Sequence, residues 1–113
     1  MIIGIGCDIV EIARIAEAID KAVIKKLLSE QEQKLAAQFS MKRKCEWIAG
    51  RLAAKEAIYK AIHTLEDRPF WQIEVLSAPD GSPICAHDVY DIQISIAHEK
   101  EYAIAYALVQ TKG

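Results

Sequence analysis

The sequence predicts an α+β domain in which an antiparallel-rich sheet packs on one long central helix, and three observations carry that prediction. Apolar residues alternate over the first ten positions and again between about 92 and 108, as half-buried strands require. Between them, the stretch from Met41 to about His63 has no proline and is rich in Ala, Lys, Glu and Leu. The order strand, helices, then several strands separates the two kinds of structure along the chain. With 113 residues, 52% of them hydrophobic and 27% charged, the whole length 1–113 reads as one globular domain; it has no repeat and no low-complexity linker.

Taken in order, Ile3, Ile5, Cys7 and Ile9 form one face of the first strand, and Ile2, Gly4, Gly6, Asp8 and Val10 form the other. Two glycines leave that second face bare for something to approach closely, and a carboxylate follows them. Ile12, Ile15, Ala16 and Ile19 predict a short amphipathic helix over about 11–20. Lys21 to Leu28 adds a helical turn or two. Ser29 with Glu32 three residues on is a capping-box pattern, so a helix restarts near Glu30 and runs to about Phe39. Ser40 is a second cap, and the longest helix follows it. After it, Trp71, Ile73 and Val75 alternate with Gln72, Glu74 and Leu76, which predicts a strand. The run Pro79-Asp80-Gly81-Ser82-Pro83 suits a tight reversal. Ile92, Ile94 and Ile96, then Tyr102, Ile104, Tyr106 and Leu108, predict a hairpin across the polar tip Glu99-Lys100-Glu101.

The formal charge of −2 argues against a protein held to nucleic acid mainly by overall charge. The average hides a distribution: residues 1–39 carry 5 basic and 6 acidic side chains, residues 40–62 carry 6 and 2, and residues 63–113 carry 3 and 8. The excess of four positive charges at the centre comes from Lys42-Arg43-Lys44, Arg51, Lys55 and Lys60. It reads as a solvated helix face or as a surface for polyanionic groups. No stretch has the roughly 18 apolar residues needed to cross a bilayer, and no basic leader opens the chain, so a cytoplasmic protein without membrane attachment is expected. Cys7, Cys45 and Cys85 are odd in number and widely spaced, which suits reduced thiols. Cys85 and His87, with Asp88 and Asp91 nearby, match no zinc spacing.

On the long helix Ala49, Ala53, Glu56, Lys60 and His63 share a stripe, beside an apolar one of Ile48, Leu52, Tyr59 and Ile62. Gly50, Ala54 and Ala57 are also small, so another backbone can lie close and set its side chains beside Glu56. Asp8, on its glycine-bare face, is the candidate neighbour. Two carboxylates near a lysine suit a hard divalent ion such as Mg²⁺, which takes oxygen ligands and keeps waters for a phosphate-bearing substrate to replace. On spacing alone, a surface pair of Glu56 with Lys60 and a strand-ending Asp8 explain the same residues more simply. His98, at a strand tip, is the other polar candidate and suits phosphate binding or positioning of an acceptor, though a plain turn histidine explains it as simply.

Three segments together carry a resemblance. Ile3-Gly4-Ile5-Gly6-Cys7-Asp8-Ile9-Val10-Glu11 with Arg14 resembles the opening of the bacterial holo-acyl-carrier-protein synthases, a group of 4′-phosphopantetheinyl transferases. Trp47-Ile48-Ala49-Gly50-Arg51-Leu52-Ala53-Ala54-Lys55-Glu56-Ala57, continuing to Lys60-Ala61, resembles their second signature. Ile94-Ser95-Ile96-Ala97-His98 with Tyr102-Ala103 resembles the third. The three stand in the family's order and span nearly the whole chain.

The resemblance implies transfer of the phosphopantetheine arm of coenzyme A to a serine of an apo acyl carrier protein, releasing adenosine 3′,5′-bisphosphate. It implies that Asp8 and Glu56 hold Mg²⁺ against the pyrophosphate and that Lys60 serves the pyrophosphate or leaving group. His98, with Glu99 beside it, would orient phosphate or the acceptor. Lys42, Arg43 and Arg51 would meet the nucleotide phosphates, and Ser82-Pro83 would form the adenine-side loop. Arg14, Lys21, Lys25 and Lys26 would face the acidic carrier. The family's habit is a homotrimer with active sites between subunits.

Two segments depart from the family pattern. The loop His63-Thr64-Leu65-Glu66-Asp67-Arg68 has no glycine where one is common, and Ile84 to Asp91 is short for the helix often found there; both bear on coenzyme A loop contacts and carrier choice. The competing reading is a non-catalytic module that keeps the fold and uses its basic helix for an acidic protein or RNA. Retention of Asp8, Glu56, Lys60 and His98 together favours the enzyme.

Overall fold

The computed structural model describes residues 1–113, and its elements follow the predicted order. Strand β1 (Ile2–Glu11) leads into three short helices, α1 (Ile12–Ala18), α2 (Ala22–Leu27) and α3 (Glu30–Ala36). The long helix α4 (Met41–Ile62) follows, then a small hairpin of β2 (Leu76–Ser77) and β3 (Pro83–Ile84), and finally β4 (Tyr90–His98) and β5 (Tyr102–Thr111). β1 and β4 both pair antiparallel with β5, giving a three-stranded sheet in the order β1, β5, β4.

One face of this sheet carries α4. Ala103, Ala105 and Ala107 of the central strand are at most 1% exposed, and their small side chains let the helix settle on the sheet. Ala53, Ala54, Ala57 and Ile58 of α4 meet them in a core that also takes in Ile73, Val75, Ile92 and Val109. A second cluster joins α1 to α3 to the first half of α4 through Ile15, Ile24, Leu28, Ala36, Trp47 and Ile48. The two caps form as the sequence predicts: Ser29 and Glu32 exchange both capping-box bonds, and Ser40 accepts from Arg43 N at a loose 3.5 Å.

Two expectations fail for physical reasons. Trp71, Ile73 and Val75 do not lie in a strand: Phe70–Gln72 is a single 3₁₀ turn opened by Pro69, and Ile73 N bonds back to Phe70 O. Ile73 and Val75 are buried as expected, but Val75 N donates to the carboxylate of Glu32 at 2.7 Å instead of to a neighbouring strand. Alternation here marks which side chains reach the core; the ladder bonds are missing. Tyr59, placed by periodicity in the apolar stripe of α4, is 40% exposed and stacks on His63.

The basic run also divides. Lys55 is 0% exposed, as is Glu32, and its Nζ stands 2.7 Å from Glu32 Oε1. Each oxygen of that carboxylate takes a backbone N–H as well, from Ser29 and from Val75, so the buried pair is fully bonded on the acidic side. Lys55 therefore ties α3, α4 and the segment before β2 together, and belongs to no solvated face.

Candidate active site

Helix α4 crosses the sheet obliquely, and that crossing decides which residues meet. In its first half, a Cβ on Gly50 would come within 3.0 Å of Ile96 Cγ2 on β4. In its second half, a Cβ on Gly6 would stand 2.0 Å from Ala57 O, and one on Gly4 2.1 Å from Ala61 O. No side chain fits there, so the two glycines press the backbone of β1 directly on the helix. The helix thus starts over β4 and ends over β1, leaving a cleft on each flank.

The flank beside β1 carries the larger cleft, about 500 Å³, lined by Asp8, Leu27, Glu56, Tyr59, Arg68 and Phe70 among others. Asp8 follows Gly6 by two residues, so it shares the helix-facing side of β1, and it meets Glu56 because Gly6 sits on Ala57. Lys60, one turn beyond Glu56, donates to Asp8 Oδ1 and to Cys7 O, each at 3.1 Å. The hydrogen bond to Asp8, and then its negative charge, hold the Lys60 pKa above the ordinary lysine value. Two carboxylates line this part-apolar cleft and one ammonium is bonded to Asp8 beside them, an arrangement whose chemistry suits a cation together with an anionic group.

No group of three or more acidic, His or Cys side chains gathers anywhere in the chain. A pair of carboxylates fits a hexacoordinate oxygen-seeking ion that fills its remaining positions with water and substrate phosphate, and does not fit an all-protein cage. Asp8 and Glu56 therefore suit Mg²⁺ in donor chemistry and number.

The flank beside β4 carries a second cleft of about 150 Å³, lined by Arg43, Arg51, Gly81, Pro83 and His98 among others. Arg43 Nη1 lies 3.4 Å from His98 Nε2, and its guanidinium rests over Phe39. Arg51 is only 6% exposed, stacked 4.4 Å from the Trp47 ring and bonded to Ser77 Oγ at 2.7 Å. Burial lowers its pKa to about 10, which leaves it charged at neutral pH. Its Nε–H is buried with no partner, an uncommon condition in a folded chain.

The predicted residues therefore fall into two groups that one chain does not join. Asp8, Ala105 and Ile96 form one row across the sheet, and Val10, Ala103 and His98 the next. Two strand spacings put His98 about 10 Å from the Asp8 strand, on the opposite flank of α4. Pro83 reaches the second cleft, but Ser82 is turned into its own bend, with N and Oγ both bonded to Asp80 Oδ1. Glu99 Oε1 accepts from Glu101 N and Tyr102 N, and those bonds close the hairpin tip and hold its carboxyl below the usual range. Lys42 is exposed. Arg14 on α1 and Lys21, Lys25 and Lys26 on and beside α2 are all exposed, and Leu27 at the end of α2 lines the larger cleft.

Arg68, Tyr59 and Phe70 also line that cleft and were not anticipated. Tyr59 stands on α4 next to Lys60, and its helical offset from Glu56 was the available signal. Arg68 and Phe70 come from the irregular segment after the helix, where no periodicity points to a face.

The model of the 4′-phosphopantetheinyl transferase superfamily matches residues 4–107. A holo-[acyl-carrier-protein] synthase of Geobacillus sp. is 42% identical, covering 97% of this chain and 98% of its own. One of Halalkalibacterium halodurans is 43% identical, with 97% of both chains covered. Among solved structures, the Bacillus anthracis holo-(acyl-carrier-protein) synthase in complex with CoA (3′,5′-ADP) superposes with a TM-score of 0.89 at 37% identity, covering 99% of both chains. The Helicobacter pylori enzyme in complex with coenzyme A gives 0.79 at 29% identity, covering 94% of this chain and 99% of that one. With the family model matched across both glycines, the long helix and the closing hairpin, the chain belongs to the 4′-phosphopantetheinyl transferase superfamily.

Proposed function

We propose that this chain transfers the 4′-phosphopantetheine group of coenzyme A to a serine hydroxyl of an apo acyl carrier protein, in a Mg²⁺-dependent reaction that releases adenosine 3′,5′-bisphosphate. The observation that carries the reading is the meeting of Asp8 with Glu56 in one cleft, with Lys60 bonded to Asp8 beside it, forced by Gly4 and Gly6 against Ala61 and Ala57. The names of the relatives, holo-acyl-carrier-protein synthases with coenzyme A or its bisphosphate half in their solved complexes, supply the chemistry.

Asp8 and Glu56 are the residues that would hold Mg²⁺. When bound, the ion supplies positive charge to the phosphoryl oxygens of the pyrophosphate. Attack of the serine oxygen on the β-phosphorus breaks its bond to the bridging oxygen and leaves negative charge on the departing bisphosphate. Lys60 answers that charge, and Asp8 keeps its ammonium in place before substrate arrives, so little reorganisation is needed in the transition state. Arg43, Arg51 and His98 serve the phosphates of the nucleotide half. The unpartnered Nε–H of Arg51 supports this assignment, because a phosphate oxygen is the acceptor it lacks. Lys42, exposed and next in sequence to Arg43, is assigned to the same phosphates, and Pro83 to the base. Arg14, Lys21, Lys25 and Lys26 draw in the acidic carrier, a long-range attraction that salt screens.

The active unit is a homotrimer with each site between two subunits. Two features support this. The catalytic carboxylates and the nucleotide-binding cations line separate clefts on one chain, so a neighbouring copy is needed to bring them to one substrate. The sheet face away from α4 is apolar and bare: Ile5 is 70% exposed, Ile9 59% and Tyr106 54%. The β1 alternation thus has its bulkier apolar side on this outer face and its glycines against the core. No helix is long and apolar enough to cross a membrane, and all three cysteines are free thiols; we place the protein in the cytoplasm, in agreement with a reducing compartment.

The test is direct. The protein is incubated with coenzyme A, Mg²⁺ and apo carrier protein, and the carrier is weighed by mass spectrometry. The expected result is a carrier heavier by one phosphopantetheine; a folded protein that modifies none of several carriers overturns the reading.

A further inference from the structure

The two segments that depart from the family pattern meet each other. Glu66 and Arg68 come from the loop after α4, and His87 and Asp88 from the short segment before β4. His87 is buried, with its side chain 1% exposed. Its Nδ1 lies 3.0 Å from Val89 N and 3.1 Å from Tyr90 N and accepts from both. A nitrogen that accepts two N–H bonds carries no proton of its own, so the ring proton of the neutral imidazole sits on Nε2. Nε2 lies 3.0 Å from Glu66 Oε1 and donates to it. The same Glu66 oxygen is 3.0 Å from Arg68 Nε. Lys112 Nζ fixes the other end of the assembly through His87 O at 2.6 Å, and the Tyr90 ring packs on the imidazole.

The chain of contacts ends in the wall of the larger cleft, where Arg68 stands with Asp8 and Glu56. Its Nη groups meet only the exposed carboxylate of Asp88, at 3.9 Å, so they are free for a stronger partner. Guanidinium in a cleft suits a bidentate anionic group. We propose that Arg68 binds an anionic group of substrate at the larger cleft and that His87 is its positioning residue, acting through Glu66. The inference rests on the transferase reading. The anionic group is a phosphate of coenzyme A or a carboxylate of the carrier, and KM for each identifies the source.

The test is a double-mutant cycle with coenzyme A and apo carrier as the probes. Arg68→Ala raises one KM by about tenfold with kcat nearly unchanged, the signature of lost uniform binding. His87→Asn keeps an acceptor for the Val89 and Tyr90 N–H groups and loses the donor to Glu66. It raises the same KM by about threefold, and in the Arg68→Ala background it adds nothing, because a residue acting only through Arg68 is silent without it. Multiplying effects, or an unmoved KM in Arg68→Ala, overturn the proposal. If His87→Asn fails to fold, Glu66→Ala, which removes the oxygen shared by His87 Nε2 and Arg68 Nε and so releases Arg68, takes its place in the cycle. Wild-type turnover in the same assay tests the parent reading separately: an active wild type with an unaltered Arg68→Ala sinks only this inference, and an inactive wild type sinks both.

Discussion

Gly6→Ala is the smallest change that should separate the two catalytic elements. The new Cβ would begin 2.0 Å from Ala57 O and 3.0 Å from Ala57 C, both backbone atoms that cannot swing aside. Reaching ordinary contact requires β1 and α4 to part by more than about 1 Å, an overpacking strain of roughly 1–3 kcal/mol. At the upper end of that range the melting temperature of a domain this size falls by roughly 10–20 °C. The catalytic effect is larger than the stability loss suggests. Asp8 lies two residues on, and its 3.1 Å bond to Lys60 moves with the strand. A displacement near 1 Å costs about a hundredfold in rate where positioning carries the catalysis. The assay is kcat/KM by mass spectrometry of the carrier beside thermal unfolding followed by circular dichroism, at a temperature where the variant remains folded. Gly50→Ala is the control: its closest contact is a side-chain methyl at 3.0 Å, and helix propensity favours Ala by about 1 kcal/mol, so stability stays within about 1 kcal/mol of wild type. Gly6→Ala with wild-type melting and turnover would refute the close-approach argument.

Other consequences follow from the same contacts. Lys55→Met strands Glu32 as a buried charge without its cation and lowers stability by about 3–5 kcal/mol in urea unfolding. Ser82 holds the Asp80 carboxyl below its ordinary pKa. The stability it lends is therefore present above the unfolded value and disappears as pH falls through the folded one, so Asp80→Asn lowers the melting temperature at pH 7 and matches wild type in strong acid. On the proposed trimer, Tyr106→Arg on the bare sheet face gives a monomer in sedimentation experiments and abolishes transfer; an active monomer, or a wild type that sediments as a monomer, would contradict the composite site.

Much of the fold was legible because it rests on local signals. The Ser29–Glu32 box, the proline-free helix and the hairpin each need only neighbouring residues, and each formed. The glycine-bare face beside Asp8 was legible for a different reason: backbone approach demands a missing side chain, and that leaves a mark in the sequence. Lys55 was misread because its partner is 23 residues away, and a basic residue in a basic run gives no sign that a buried carboxylate awaits it. Val75 was misread because its N–H is taken by a side chain. The division of the site between two flanks was invisible along the chain, since the oblique crossing of α4 is a property of packing.

The central claim, that Asp8 and Glu56 act together as the metal-holding pair of a transferase, is tested most directly by titrating Mg²⁺ into the carrier-modification assay with wild type, Asp8→Ala and Glu56→Ala. The predicted result is saturable Mg²⁺ dependence in the wild type, and loss of transfer by about a hundredfold or more in either variant at every Mg²⁺ concentration, with folding unchanged. Normal Mg²⁺-dependent turnover in either variant would contradict it.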